Sequence, residues 1–311
     1  MENKNTIYFN MPDFVEGYCV YDLFMKLFKE CPYAFYPNQE IMSVFGIFPN
    51  CIWNGGSHDN PPIFFTYDRM KDIIDAYNNV MGLPIRFTFT NPCLEEKHFY
   101  DTYANLMTEL AHNGKNEIIV SNNLEFENYL RKNYPNYKYI KSIIATEKEP
   151  CFIDDKYYMT VMRRAMNNNW TYLETIPIEK RDKIEFLCGD PCPDGCPRIY
   201  SHYRIHGMKQ LGFGKDYLGI ECSMEDIKGL FQNKYVMGLK TYISRENIWE
   251  NYVPRGFKNF KLSGRFDIGT IITNLVDYMV LPDYKTDMHT MLINGVVQYL
   301  KEGMYGIIDR F

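Results

Sequence analysis

Short apolar runs alternate along this chain with longer stretches whose apolar residues recur at helical spacing. That rhythm is the pattern of repeated strand–helix units. It predicts strands over Asn5–Asn10, Ile41–Phe48, Ile85–Thr90, Glu117–Ser121, Tyr139–Ile143, Tyr158–Met162, Lys183–Leu187 and Lys258–Leu262. Between the first two, Val20, Leu23, Phe24 and Leu27 lie on one face of a helix predicted over Phe14–Glu30. Similar spacing predicts helices over Tyr67–Val80, Lys97–His112, Leu124–Asn133, Asn247–Val253 and Ile271–Met279. Strands separated by helices run parallel, and eight of them close most economically into a TIM-like (β/α)8 barrel. The α/β reading covers residues 1–311 as a single barrel domain.

One interval breaks the rhythm. About seventy residues separate the seventh and eighth strands, far more than a strand–helix connection needs. The segment 189–256 is therefore read as an insertion over the barrel mouth. In such a barrel the loops leaving the C-terminal strand ends line the active face. The candidates there for holding a polar substrate are Asn54, beside Gly55 and Gly56, and Asn91 after the third strand. Lys261 and Arg265, near the end of the eighth strand, are suited to a carboxylate or phosphate. Asn167, Asn168 and Asn169 follow the sixth strand, so their amides also fall on that face.

Charge narrows the partners. With 34 basic and 39 acidic residues the formal net charge is −5, which gives no sequence-wide footprint for nucleic acid. A small-molecule substrate is the expected partner, with an electron donor or partner subunit beside it. No apolar run approaches the ~20 residues that span a bilayer, and polar Glu2 to Asn5 follow Met1. The expectation is a cytoplasmic protein without leader or membrane anchor. Gly212, Gly214 and Gly219 do not complete a dinucleotide fingerprint, and no Gly-Lys-Ser/Thr phosphate loop is present.

Nine cysteines in a chain without export signals favour metal chemistry over disulfides. Cys188, Cys192 and Cys196 are four apart, and Pro191, Pro193, Gly195 and Pro197 impose turns around the last two. Thiolates gathered in such a turn are placed to chelate zinc or an iron–sulfur cluster, each of which takes four ligands. Cys222 is the first choice to complete the set, with His202 and His206 as rivals. Cys51 and Cys93 sit on strand-end loops facing the same way, whereas Cys19, Cys31 and Cys151 read as packing or surface residues. Spacing alone does not separate zinc from iron–sulfur.

Two segments in register resemble the collagenase-like peptidase family, number thirty-two among peptidases of unknown mechanism. Lys183–Cys196 looks like that family's strand, glycine and cysteine signature, and Gly256–Arg265 like its late Gly-x-x-x-Phe-Lys-Ile-Glu-Gly-Arg element. Phe87–Asn91, Glu117–Ser121 and Leu130–Pro135 agree more loosely. The likeness spans roughly Pro84 to Pro282, with Ser263 in place of the family's glutamate and Cys188 where histidine is common.

The resemblance implies a barrel carrying an iron–sulfur cluster, [4Fe-4S] in type, beside its mouth. It also implies oxygen-independent hydroxylation of a small ring or nucleobase rather than proteolysis. Two other readings stay open: a zinc-stapled hydrolase or binding barrel, and a non-catalytic partner subunit that carries a cluster.

Overall fold

The computed structural model describes residues 6–55, 63–146, 153–190, 192, 196, 198–213, 237–264 and 268–301. Eight strands close in sequence order into a parallel barrel. They are β1 (Ile7–Pro12), β2 (Gln39–Gly46), β3 (Ile85–Phe89), β4 (Glu117–Val120), β5 (Lys138–Lys141), β6 (Met159–Val161), β7 (Ile184–Cys188) and β8 (Asn259–Leu262). All eight predicted strands are present. The first lies two residues later than predicted and the second two residues earlier.

Alternation along the strands sorts side chains into two layers. Phe9, Phe87, Phe89, Phe186 and Phe260 point outward and pack edge-to-face or stacked against neighbouring rings. Each such burial contributes about 1.5–3 kcal/mol. The helices α1 (Tyr18–Glu30), α2 (Tyr67–Asp75), α3 (Glu96–Phe99), α4 (Thr102–Leu110) and α5 (Leu124–Asn133) belong to this half of the chain. The predicted helix Lys97–His112 is two helices because Asp101 stops the first and caps the second, its Oδ1 accepting the Ala104 amide at 2.8 Å.

The second half adds the short α6 (Ile143–Thr146) and α7 (Trp170–Leu173), then α8 (Ile199–Gln210) inside the insertion. After it come α9 (Arg245–Asn247), which runs into a π-helical turn Ile248–Tyr252, α10 (Ile268–Met279) and α11 (Lys285–Lys301). The periodicity did not predict α8 or α11. On α8 all but the buried Tyr203 and Gly207 and the exposed Tyr200 and Arg204 are half-buried, so no apolar stripe marks it. Among the described residues no helix is long and apolar enough to cross a membrane.

Inside the barrel the amino-terminal half is polar. Arg86 is fully buried and ion-pairs with Glu117 and, at 2.5 Å, with Glu185. Asn10 donates to the same Glu185 oxygen at 2.7 Å and accepts from Ser43 at 2.6 Å. Burial lowers the affinity of Arg86 for its proton, but the two carboxylates outweigh this and raise it. The carboxyl-terminal half is mostly apolar: Ile119, Ile140, Met159, Val161 and Leu187 fill it together with Tyr203 from α8, with the charged Lys261 at the same level.

Candidate functional site at the barrel mouth

The mouth is organised around the end of β7. Gly189 turns the chain with φ +72°, a conformation that favours glycine, and delivers Asp190 into a buried ion pair with Arg164, which follows β6. Arg164 Nε and Nη2 donate to one Asp190 oxygen at 2.8 and 2.6 Å. The other Asp190 oxygen accepts the Cys192 amide at 2.9 Å, so the carboxylate fixes the backbone at Cys192. Arg164 Nη1 donates to the Tyr203 hydroxyl at 2.9 Å, which ties the same cluster to α8. Charge-assisted bonds of this kind are strong where water is excluded.

α8 covers the mouth and is clamped on its other flank by the loop after β3. The Asn91 amide donates to the carbonyls of Ile52 at 2.8 Å and Gly207 at 3.0 Å, and its oxygen accepts the Cys93 amide at 2.9 Å. A β-carbon on Gly207 would lie 2.3 Å from that oxygen, so only glycine lets α8 sit this close. Gly55 is also a contact glycine, its would-be β-carbon 2.1 Å from Asn91 Cα. These contacts use Asn91 to seat α8. Asn54 is buried and its oxygen accepts from Thr88 Oγ1 at 3.3 Å.

The predicted ligands separate by environment. Cys188 is wholly buried on the outward side of β7, in the layer of Phe186, Tyr252 and Tyr278. Burial, reinforced by the field of Glu185, holds its thiol well above the usual range and therefore neutral. Cys192 and Cys196 are half-buried at the approach to α8. Cys93 is half-buried too, its Sγ 3.5 Å from the Arg204 carbonyl, and burial raises its thiol against the opposing pull of Arg204. Cys51 is buried and held neutral by burial. On α8 the rings of His202 and His206 lie 4.4 Å apart. Cys222, Cys151, Gly56 and Arg265 fall outside the described residues. Among the described residues no group of three or more His, Cys, Asp or Glu side chains is placed to hold a metal ion.

Lys261 points into the barrel and sets its ammonium 3.8 Å above the Phe45 ring. A residue the sequence reading passed over stands at the end of β1. Asp13 has φ +48°, uncommon for a residue with a side chain. Burial, then the nearby Glu16 carboxylate, push its carboxyl up to about 6. Arg164, Asp190 and Tyr203 were also passed over. Only their strand-end positions could have marked the first two, and Tyr203 needed the course of α8.

No family model matches the chain, and no curated protein does. Among solved structures it is similar to the U32 peptidase Mk0906, with a TM-score of 0.48 and 12% identity over 83% of this chain and 93% of that one. At this level the likeness assigns no activity.

Proposed function

We propose that this barrel is an iron–sulfur-dependent enzyme of redox or oxygen-independent hydroxylating type, acting on a small polar or aromatic substrate or a nucleobase. The carrying observation is the cysteine turn itself: Cys192 and Cys196 are half-buried at a strand-end mouth, and a buried Arg164–Asp190 pair fixes the backbone there. The described residues supply two thiols that fit such a group. Cys222 and one further ligand, for which His202 and His206 are the rivals, would have to complete the set of four, and Cys188, turned away from the mouth, is left out of it.

A cluster supplies one-electron chemistry to a bound substrate. The chain supplies the rest. Tyr203 and the apolar residues beneath it exclude water from the barrel interior. Lys261 provides a fixed cation for an anionic group, and Asp13 provides a carboxyl that exchanges its proton near neutral pH.

Protein purified without air should contain iron and acid-labile sulfide and absorb broadly in the visible. Cys192→Ala and Cys196→Ala should each lose most of that iron, and Cys188→Ala should keep it. Stoichiometric zinc in colourless protein would overturn the reading. It would favour a zinc-stapled barrel, a second reading supported by the two imidazoles on α8, since histidine suits zinc.

A further inference from the structure

Away from the mouth, Arg245 is a buried cation with no acceptor among the described residues. Arg245 opens α9 and is 5% exposed, with Nε, Nη1 and Nη2 all buried and none reached by a hydrogen-bond acceptor. Aromatic rings surround it: Tyr36 at 4.1 Å, Trp249 at 5.0 Å and Phe9 at 5.9 Å from the guanidinium carbon. The Trp249 indole N–H is also buried without an acceptor. Two donor groups from adjacent turns therefore meet in one place with no acceptor among the described residues.

The walls are anchored. The Ser244 hydroxyl caps α9 by accepting the Asn247 amide at 3.1 Å, Tyr278 donates to the Ile243 carbonyl at 2.5 Å, and the Tyr36 amide donates to Met279 at 3.1 Å. Burial lowers the Arg245 guanidinium to about 10, opposed by Tyr36 and Glu246, so it stays charged at neutral pH. Ring faces attract a cation, but they accept none of its in-plane N–H groups, and an unpaired buried charge is costly. Arginine's planar fork matches a carboxylate or phosphate.

We propose that Arg245 and Trp249 form an oxyanion-binding site, for a phosphate or carboxylate group, in the helix layer outside β1. Trp249, half-buried, is the wall that must turn to admit the ligand.

Thermal unfolding of the full chain, followed at constant ionic strength with chloride as control, tests it. Inorganic phosphate and succinate form separate arms that tell the two chemistries apart. At saturation one of them should raise the midpoint by about 2–4 °C in the wild type. Arg245→Met should abolish the rise, and Trp249→Phe should weaken it while leaving the fold intact even if the first variant fails to fold. No rise in either arm overturns the site, as does an equal rise in wild type and both variants. Neither result bears on the metal content of the cysteine turn.

Discussion

Asp13 carries two costs at once: a left-handed backbone and a carboxylate that its surroundings disfavour. Both concentrate at sites where function over-determines structure. Beside burial, the Glu16 carboxylate in the same loop raises its pKa and the backbone amides of Glu16 and Val15 oppose the rise, while the charge of Asp13 in turn raises the buried phenols of Tyr21 and Tyr77. Its folded value near 6 exceeds the unfolded value of 3.8, so the folded state holds the proton more tightly. Stability from this group is therefore full below about pH 4 and falls as pH rises through 6. The loss above pH 6 is about 1–3 kcal/mol, its lower part reflecting partial exposure. Asp13→Asn should be more stable than the wild type by that amount at pH 7.5 and equal to it at pH 4, measured by urea unfolding at both. A constant difference between the two would show that the proton has no part in it. The sequence gives Asp13 no mark, because neither its φ nor its burial is a property of the local residue string. Cys192 and Cys196 stand out in the sequence for the opposite reason: the proline and glycine around them are a property of the local string and predict a polar turn wherever it sits.

At the scale of elements, the strands were readable and the mouth was not. Each strand carries outward aromatic or branched residues whose contrast with the flanking turns survives without tertiary knowledge. α8 has no such contrast, since its faces meet different neighbours: the apolar interior through Tyr203, Arg164 through the same hydroxyl, and the Asn91–Cys93 loop through Gly207. Asn91 looked like a substrate amide at a strand end, and only the approach of Gly207 shows what it binds. Gly207→Ala should therefore do the reverse of what alanine does in most helices. Where alanine ordinarily stabilises by about 1 kcal/mol over glycine, the new methyl meets Asn91 Oδ1 and, at 3.2 Å, Cys93 Sγ. The expected cost is about 1–3 kcal/mol. Hydrogen exchange should place the loosening in α8 and the Asn91 loop and leave β1 and β2 unchanged. Uniform loss of protection would mean that α8 is no separate clamp.

For the whole molecule, the barrel is held by two interiors that follow different physics. The apolar half tolerates volume-conserving exchange, whereas the polar half depends on each buried charge keeping a partner. Arg86 is one cation shared by two carboxylates, and Glu185 Oε2 is buried with no hydrogen-bond partner. Counted formally among the described residues, the cluster thus holds one negative charge in excess, at the end of the barrel away from Cys192. Replacing Arg86 by leucine leaves two buried carboxylates facing each other and should cost about 3–5 kcal/mol, enough to prevent folding of a marginal chain. Glu185→Gln removes the excess charge, and its amide oxygen can still accept from Arg86 Nη1 and Asn10 Nδ2, as Oε1 does now. Its cost should stay near 1 kcal/mol, within the range of one altered hydrogen bond. Urea midpoints of the two variants measure the difference directly. Equal destabilisation would mean that the barrel interior needs both carboxylates at full charge.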